Sequence, residues 1–62
     1  MPEVIVYTAA GHSVGEKRGL MKDITDAVVR HFTVPAESVT VQLVESPRTD
    51  KAKGGIPFSE RR

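Results

Sequence analysis

SVGEKRGLMKDITDAVVRHF, residues 13–32, is the stretch on which the fold turns. Ser13 followed by Glu16 fits the S-x-x-E capping box, so a helix is predicted to start at Val14. Leu20, Met21, Ile24, Ala27, Val28 and Phe32 recur at steps of three and four and make one apolar stripe. Lys22, Asp26 and Arg30 stand on the opposite face, where four-residue steps pair opposite charges. Pro35 disfavours helical geometry at Val34, so the helix ends near Phe32. About 19 residues give about 28 Å, enough to cross back over a short strand.

Outward from the helix, both flanks read as strands. Residues 3–8, EVIVYT, are rich in β-branched and aromatic side chains, in a nearly continuous apolar run that suits a strand covered on both faces. Residues 39–45, VTVQLVE, alternate, with Val39, Val41 and Leu43 inward and Thr40 and Gln42 outward. Strand, helix and strand with short joins imply parallel pairing through a right-handed crossover. The expected fold class is therefore α/β, a single βαβ unit in one domain spanning residues 1–62. Two strands and one helix leave a sheet edge and a sheet face open, and both invite a partner chain.

From Ser46 the character changes to SPRTDKAKGGIPFSERR. Pro47 ends the strand. Gly54-Gly55 supplies positive φ at both central positions of a tight turn, which predicts a short C-terminal β-hairpin over residues 51–58. Ile56 and Phe58 are apolar residues in a polar tail, and docking on a neighbouring subunit would cover them.

Sixty-two residues bury only about 60% of the surface that the unfolded chain exposes. Such domains are completed by disulfides, metals or oligomerisation. There is no cysteine, and His12 and His31 are too far apart in sequence to make a good ligand set, which leaves self-assembly. A net charge of +1, with both signs interspersed, argues against a nucleic-acid partner. No apolar run approaches the ~20 residues that span a membrane, and no secretory h-region is present. The expected location is the cytoplasm.

Pro2 has two readings. Proline is tolerated at the first position of a strand, which needs no chemistry. Once Met1 is removed, however, its nitrogen is a free secondary amine on a rigid ring. An α-amino group titrates near ~7.7–8.0, and nearby cations lower that, into the range where a general base works best. His12, on the loop before the helix, is either a solvated histidine or a donor to a substrate carboxylate or carbonyl with a charge that switches near neutral pH. Arg48, Lys51, Lys53, Arg61 and Arg62 are individually ordinary surface charges; together they give the tail a positive potential suited to anions. Tyr7 reads as packing, and His31 complements the helix C-terminus. Lys53-Gly54-Gly55 lacks the spacing of a phosphate loop.

An N-terminal proline after methionine, one βαβ unit in 62 residues and a Gly-Gly hairpin tail together resemble the 4-oxalocrotonate tautomerase family. The likeness runs through PEVIV at 2–6, G-H-S-x-x-x-K at 11–17, PAESVTV at 35–41 and KGGIPFSER at 53–61. It implies an oligomer, commonly a hexamer built as a trimer of dimers, and a reaction without a cofactor. In that reaction the proline nitrogen takes a proton from a carbon of an enol or dienol and returns one to another carbon. Pro2 matches the catalytic proline, and Ser38 and the Gly54-Gly55 turn match positions around the family's pocket. Members that hold a dicarboxylate use an arginine just after the first strand and another early in the second; His12 and Thr40 stand there. A large aromatic often precedes the Gly-Gly turn; Lys51 stands there.

The expected activity is thus a keto–enol tautomerase acting on a small anionic 2-oxo acid. Pro2 is the catalytic residue, His12, Ser38, Thr40, Arg48, Lys51 and Lys53 are the substrate-binding candidates, and no metal is expected. Two alternatives stand beside it. One is an accessory subunit that has lost the chemistry and assembles with a paralogue carrying the arginines. The other is a hydratase or dehalogenase acting on small unsaturated acids through the same proline.

Overall fold

In the computed structural model, which describes residues 1–61 and leaves Arg62 outside, β1 (Glu3–Ala9) and β2 (Thr40–Ser46) lie side by side and parallel. The register pairs Glu3 with Thr40, Ile5 with Gln42 and Tyr7 with Val44. The ladder is prolonged at both ends, where Thr40 N–H donates to the Pro2 carbonyl at 3.0 Å and Ala10 N–H to that of Ser46 at 2.8 Å. The helix α1 (Val14–Phe32) connects the strands, as the sequence predicts. A hairpin of β3 (Ala52–Lys53) and antiparallel β4 (Ile56–Pro57) ends the chain. This is the expected βαβ unit with its small C-terminal hairpin.

The capping box forms in full. Ser13 Oγ accepts from Glu16 N–H at 3.1 Å, and Glu16 Oε1 accepts from Ser13 N–H at 2.9 Å. Those two bonds satisfy backbone donors that the first turn would otherwise leave orphaned. They also hold the Glu16 carboxyl below its ordinary value of 4.5, with the Ser13 backbone bond the largest cause and His12 a minor one. At the far end Thr33 takes the left-handed conformation (φ 55°) and its N–H donates to the Val29 carbonyl, closing the last turn. On the solvent face Lys22 and Asp26 pair at 2.9 Å.

Val4, Val6, Val41 and Leu43 are half-buried under α1, and Met21, Ile24 and Val28 face them from the helix. Two members depart from the expected stripe: Phe32 is 66% exposed and Leu20 45%, while Val14 at the other end is 69% exposed. At the two ends the cause is length. Nineteen helical residues span about 28 Å, while a seven-residue strand spans about 23 Å, so both helix ends overhang the sheet.

Among the described residues none is fully buried. The sheet face turned away from α1 carries Ile5 at 44% and Tyr7 at 72% exposure. The coverage on both faces that the apolar run of β1 suggests is absent within one chain, because a single helix shields a single face.

Lys17 and Glu45 hold an unexpected place. Glu45 shares the helix-facing side of β2 with Val41 and Leu43, and Lys17 lies one turn before Met21 on the inward stripe. Their charges meet at 2.9 Å, with side chains only 30% and 26% exposed. The pair binds the first turns of α1 to the end of β2.

Candidate functional site

Pro2 is half-buried at the strands' starting end, its carbonyl fixed by Thr40 N–H. Met1, by contrast, is 97% exposed. While Met1 is attached, the Pro2 nitrogen is an amide without basicity; its removal creates a secondary amine at a position the ladder already holds.

Ser38 and Thr40 lie at the same end. Pro35 opens a tight turn over Ala36–Ser38, closed by Ser38 N–H to the Pro35 carbonyl at 3.0 Å and by Val39 N–H to that of Ala36 at 3.1 Å. Ser38 Oγ also donates to the Pro35 carbonyl, at 2.8 Å, so its hydroxyl proton is engaged in shaping the turn. Thr40 is exposed on the open sheet face, directly across from Glu3. With Glu37 in the turn, this end carries two carboxylates; Arg30 and His31 of the last helical turn lie on the layer behind the sheet.

His12 lies past the other end of β1, about 23 Å away along the strand. There it lines a cleft of about 110 Å³ together with Val6, Thr8, Glu16, Lys17, Leu20 and Leu43. Arg48 follows β2 at that same end. Its guanidinium donates to the Phe58 carbonyl at 3.3 Å, which ties the tail to itself. Lys51 fixes the hairpin through its backbone carbonyl, which accepts from Phe58 N–H at 2.7 Å. Lys53 is exposed, and its carbonyl accepts from Arg61 Nη1 at 2.8 Å. Gly54 (φ 63°) and Gly55 (φ 81°) make the reversal, as the sequence predicts.

The single chain therefore brings together Pro2, Ser38 and Thr40, and leaves His12, Arg48 and the tail lysines apart from them. Neither concavity between helix and sheet, the 110 Å³ cleft or a shallower one of about 470 Å³ along Lys17, Met21 and Leu43, includes Pro2. Among the described residues no three His, Asp or Glu side chains converge on a metal site. Sequence reasoning passed over Glu3. Its position gave the signal, since it follows the proline directly and opens the outward-facing parity of β1.

A parallel βαβ layer with a proline at its open starting edge and a glycine-turned tail defines a small α/β class, and comparison supplies the family. The Tautomerase family, described as tautomerase enzyme, matches residues 2–61. A probable tautomerase of Bradyrhizobium diazoefficiens is 44% identical over 61 residues, covering 98% of this chain and 91% of that protein. The 2-hydroxymuconate tautomerase of Pseudomonas putida is 32% identical, covering 97% and 95%. Among solved structures, a heterohexamer 4-oxalocrotonate tautomerase from Chloroflexus aurantiacus superposes with a TM-score of 0.88 at 29% identity, each chain covered in full. The chain belongs to the tautomerase family.

Proposed function

We propose that this chain is a cofactor-independent tautomerase that interconverts the enol and keto forms of a small 2-oxo acid, with the freed Pro2 amine as general acid/base. The observation that carries the reading is the family match beginning at residue 2, on a proline held at the strands' open end behind an exposed Met1. Chemically the step is an isomerisation. The enol loses its hydroxyl proton, the electron pair left on oxygen becomes the C=O π bond, and the C=C π pair forms the new C–H bond with the proton delivered at carbon. A rigid ring nitrogen titrating near neutrality both accepts and returns that proton. The likeness to 2-hydroxymuconate tautomerases supports an enol or dienol of a 2-oxo acid as the substrate class.

Assembly belongs to the same proposal. A chain with no fully buried residue among those described, and with Ile5 and Tyr7 open on one sheet face, is completed by further copies. The heterohexameric relative supports an assembly of six chains; on this reading the six are copies of this chain, arranged as a trimer of dimers. Neighbouring copies would supply the walls that Pro2 lacks and carry His12, Arg48, Lys51 and Lys53 toward it. The proposed location is the cytoplasm.

A second reading is favoured by one pair of facts. His12 and Thr40 stand where dicarboxylate-binding relatives are expected to carry arginines, and one relative is a heterohexamer. The chain would then be an accessory subunit completed by a paralogue.

One set of measurements separates the readings. Mass spectrometry of the purified protein should show Met1 removed, and sedimentation equilibrium should give a hexamer at micromolar concentration. Pro2→Ala should lower ketonisation of the enol of phenylpyruvate by ~10²–10⁴-fold. Full activity in that variant refutes the proline chemistry. A processed hexamer that turns over neither enols nor small unsaturated acids supports the accessory subunit.

A further inference from the structure

We propose that Glu3 is a specificity-determining residue that sets the Pro2 site against doubly anionic substrates and toward those carrying a single carboxylate. The inference rests on the Pro2 reading above and goes beyond it in naming the group that selects. Glu3 is exposed on the face of the sheet turned away from α1, as the alternation of Val4 and Val6 toward the helix requires. It stands directly across from Thr40, whose N–H holds the Pro2 carbonyl. Pro2 and Glu3 are neighbours, with Cα atoms ~3.8 Å apart, and a two-methylene stem keeps the carboxylate within roughly 5–8 Å of the Pro2 nitrogen.

Two carboxylates therefore sit at this end of the sheet, on Glu3 and Glu37. The opposing position on β2 offers Thr40, a hydroxyl without charge. Arg30 and His31 lie behind the sheet layer, and no hydrogen bond or ion pair joins the Glu3 carboxylate to a cation among the described residues. The tail cations that neighbouring copies bring must first offset these acids. One carboxylate on a substrate can be met in that way; a second is repelled. The same proximity favours the protonated form of the Pro2 amine.

The expected effects follow from Coulomb's law. A unit charge about 6 Å away in a well-hydrated site shifts the Pro2 titration by about half a pH unit, and changes the affinity for each added substrate charge by about threefold. Glu3→Gln should therefore raise kcat/KM for 2-hydroxymuconate, a dicarboxylate, about threefold relative to the enol of phenylpyruvate, and Glu3→Lys about tenfold. Glu3→Asp should restore the wild-type ratio. A nitrogen NMR titration of the processed protein should find the Pro2 amine about half a unit lower in Glu3→Gln.

Sedimentation of each variant checks that the assembly is intact, and Glu3→Gln alone decides the matter if the charge reversal does not assemble. An unchanged substrate ratio together with an unchanged Pro2 titration overturns the proposal. If Pro2→Ala keeps full activity while the titration still moves, the proline chemistry fails and the selectivity proposal falls with it; the electrostatic coupling of Glu3 to Pro2 alone stands.

Discussion

Lys17 and Glu45 provide a quantitative test of how the helix is fastened to the sheet. Replacing Lys17 by methionine keeps the length and apolar stem of the side chain and deletes its charge, leaving Glu45 half-covered on the helix-facing side of β2. Exposed pairs contribute about 0–1 kcal/mol, and removal of one partner of a fully buried pair costs about 3–5 kcal/mol. A charge-assisted contact of 2.9 Å with both partners roughly two-thirds covered falls between them. About 1.5 kcal/mol is therefore expected for Lys17→Met, or about 6–12 °C in Tm for a domain of this size. The assay is thermal unfolding at one fixed subunit concentration, because association adds to apparent stability. Glu45→Gln and the double variant complete the cycle. The double variant should be less destabilised than the two single losses added together, by about 1 kcal/mol. One molar salt should erode only part of that coupling, since most of the contact is shielded from solvent. A coupling below about 0.3 kcal/mol would refute the claim that the pair fastens α1, and would assign the loss to the apolar stem of Lys17.

Two further predictions concern titration. The capping bonds hold the Glu16 carboxyl below 4.5 in the folded chain, so the stability they contribute is present above that value and is lost as the pH falls through the lower folded value. Urea unfolding should show wild type losing stability faster than Glu16→Gln as the pH falls from about 5 to 3; parallel curves would show the capping carboxylate to be uncoupled from folding. In the tail, Lys51→Ala with Lys53→Ala should raise KM for anionic substrates and shift the rising limb of the pH–rate profile upward, because on the proposed assembly neighbouring copies bring these cations to Pro2, and their loss would let the amine hold its proton to higher pH. An unchanged profile would place the needed cation elsewhere, with His12 next in line.

Most of the fold was legible because its determinants are local. The capping box and Pro35 bound α1 at the residues where it begins and ends, and the paired glycines mark the hairpin turn. What escaped depends on partners distant in sequence. β2 begins at Thr40 rather than Val39, because Val39 N–H is taken by the Ala36 carbonyl in the turn. β1 runs on to Ala9 because Ser46 stands opposite it. Phe32 keeps the correct spacing, yet the sheet is too short to reach it. Lys17–Glu45 had a signal that apolar counting misses: Glu45 shares the parity of Val41 and Leu43, so it needed a cation on the helix stripe. The candidate site was the least legible part. Pro2 and His12 can each be singled out in the sequence, but the fold sets them at opposite ends of β1, and no periodicity in a sequence specifies how copies would meet.

The open sheet face connects the assembly problem to the chemistry. Its β1 side chains run Glu3, Ile5, Tyr7, a carboxylate followed by two apolar groups at 44% and 72% exposure. Covering Ile5 and Tyr7 is favourable by roughly 25 cal/mol per Å² of apolar surface removed from water. Covering Glu3 without a cation is costly, since an unpaired charge resists leaving water. On the proposed assembly, a copy docking on this face would therefore be drawn over Ile5 and Tyr7 and halted at Glu3. That boundary is one residue from Pro2. On the proposed assembly the amine thus lies at the rim of an interface, shielded on one side by the neighbouring copy and open to substrate on the other, where a group titrating near neutrality is most useful as a base. Glu3 then both limits the interface and colours the electrostatics of the site it leaves open, so replacing it tests the two roles at once: assembly through sedimentation and selectivity through the ratio of dicarboxylate to monocarboxylate turnover.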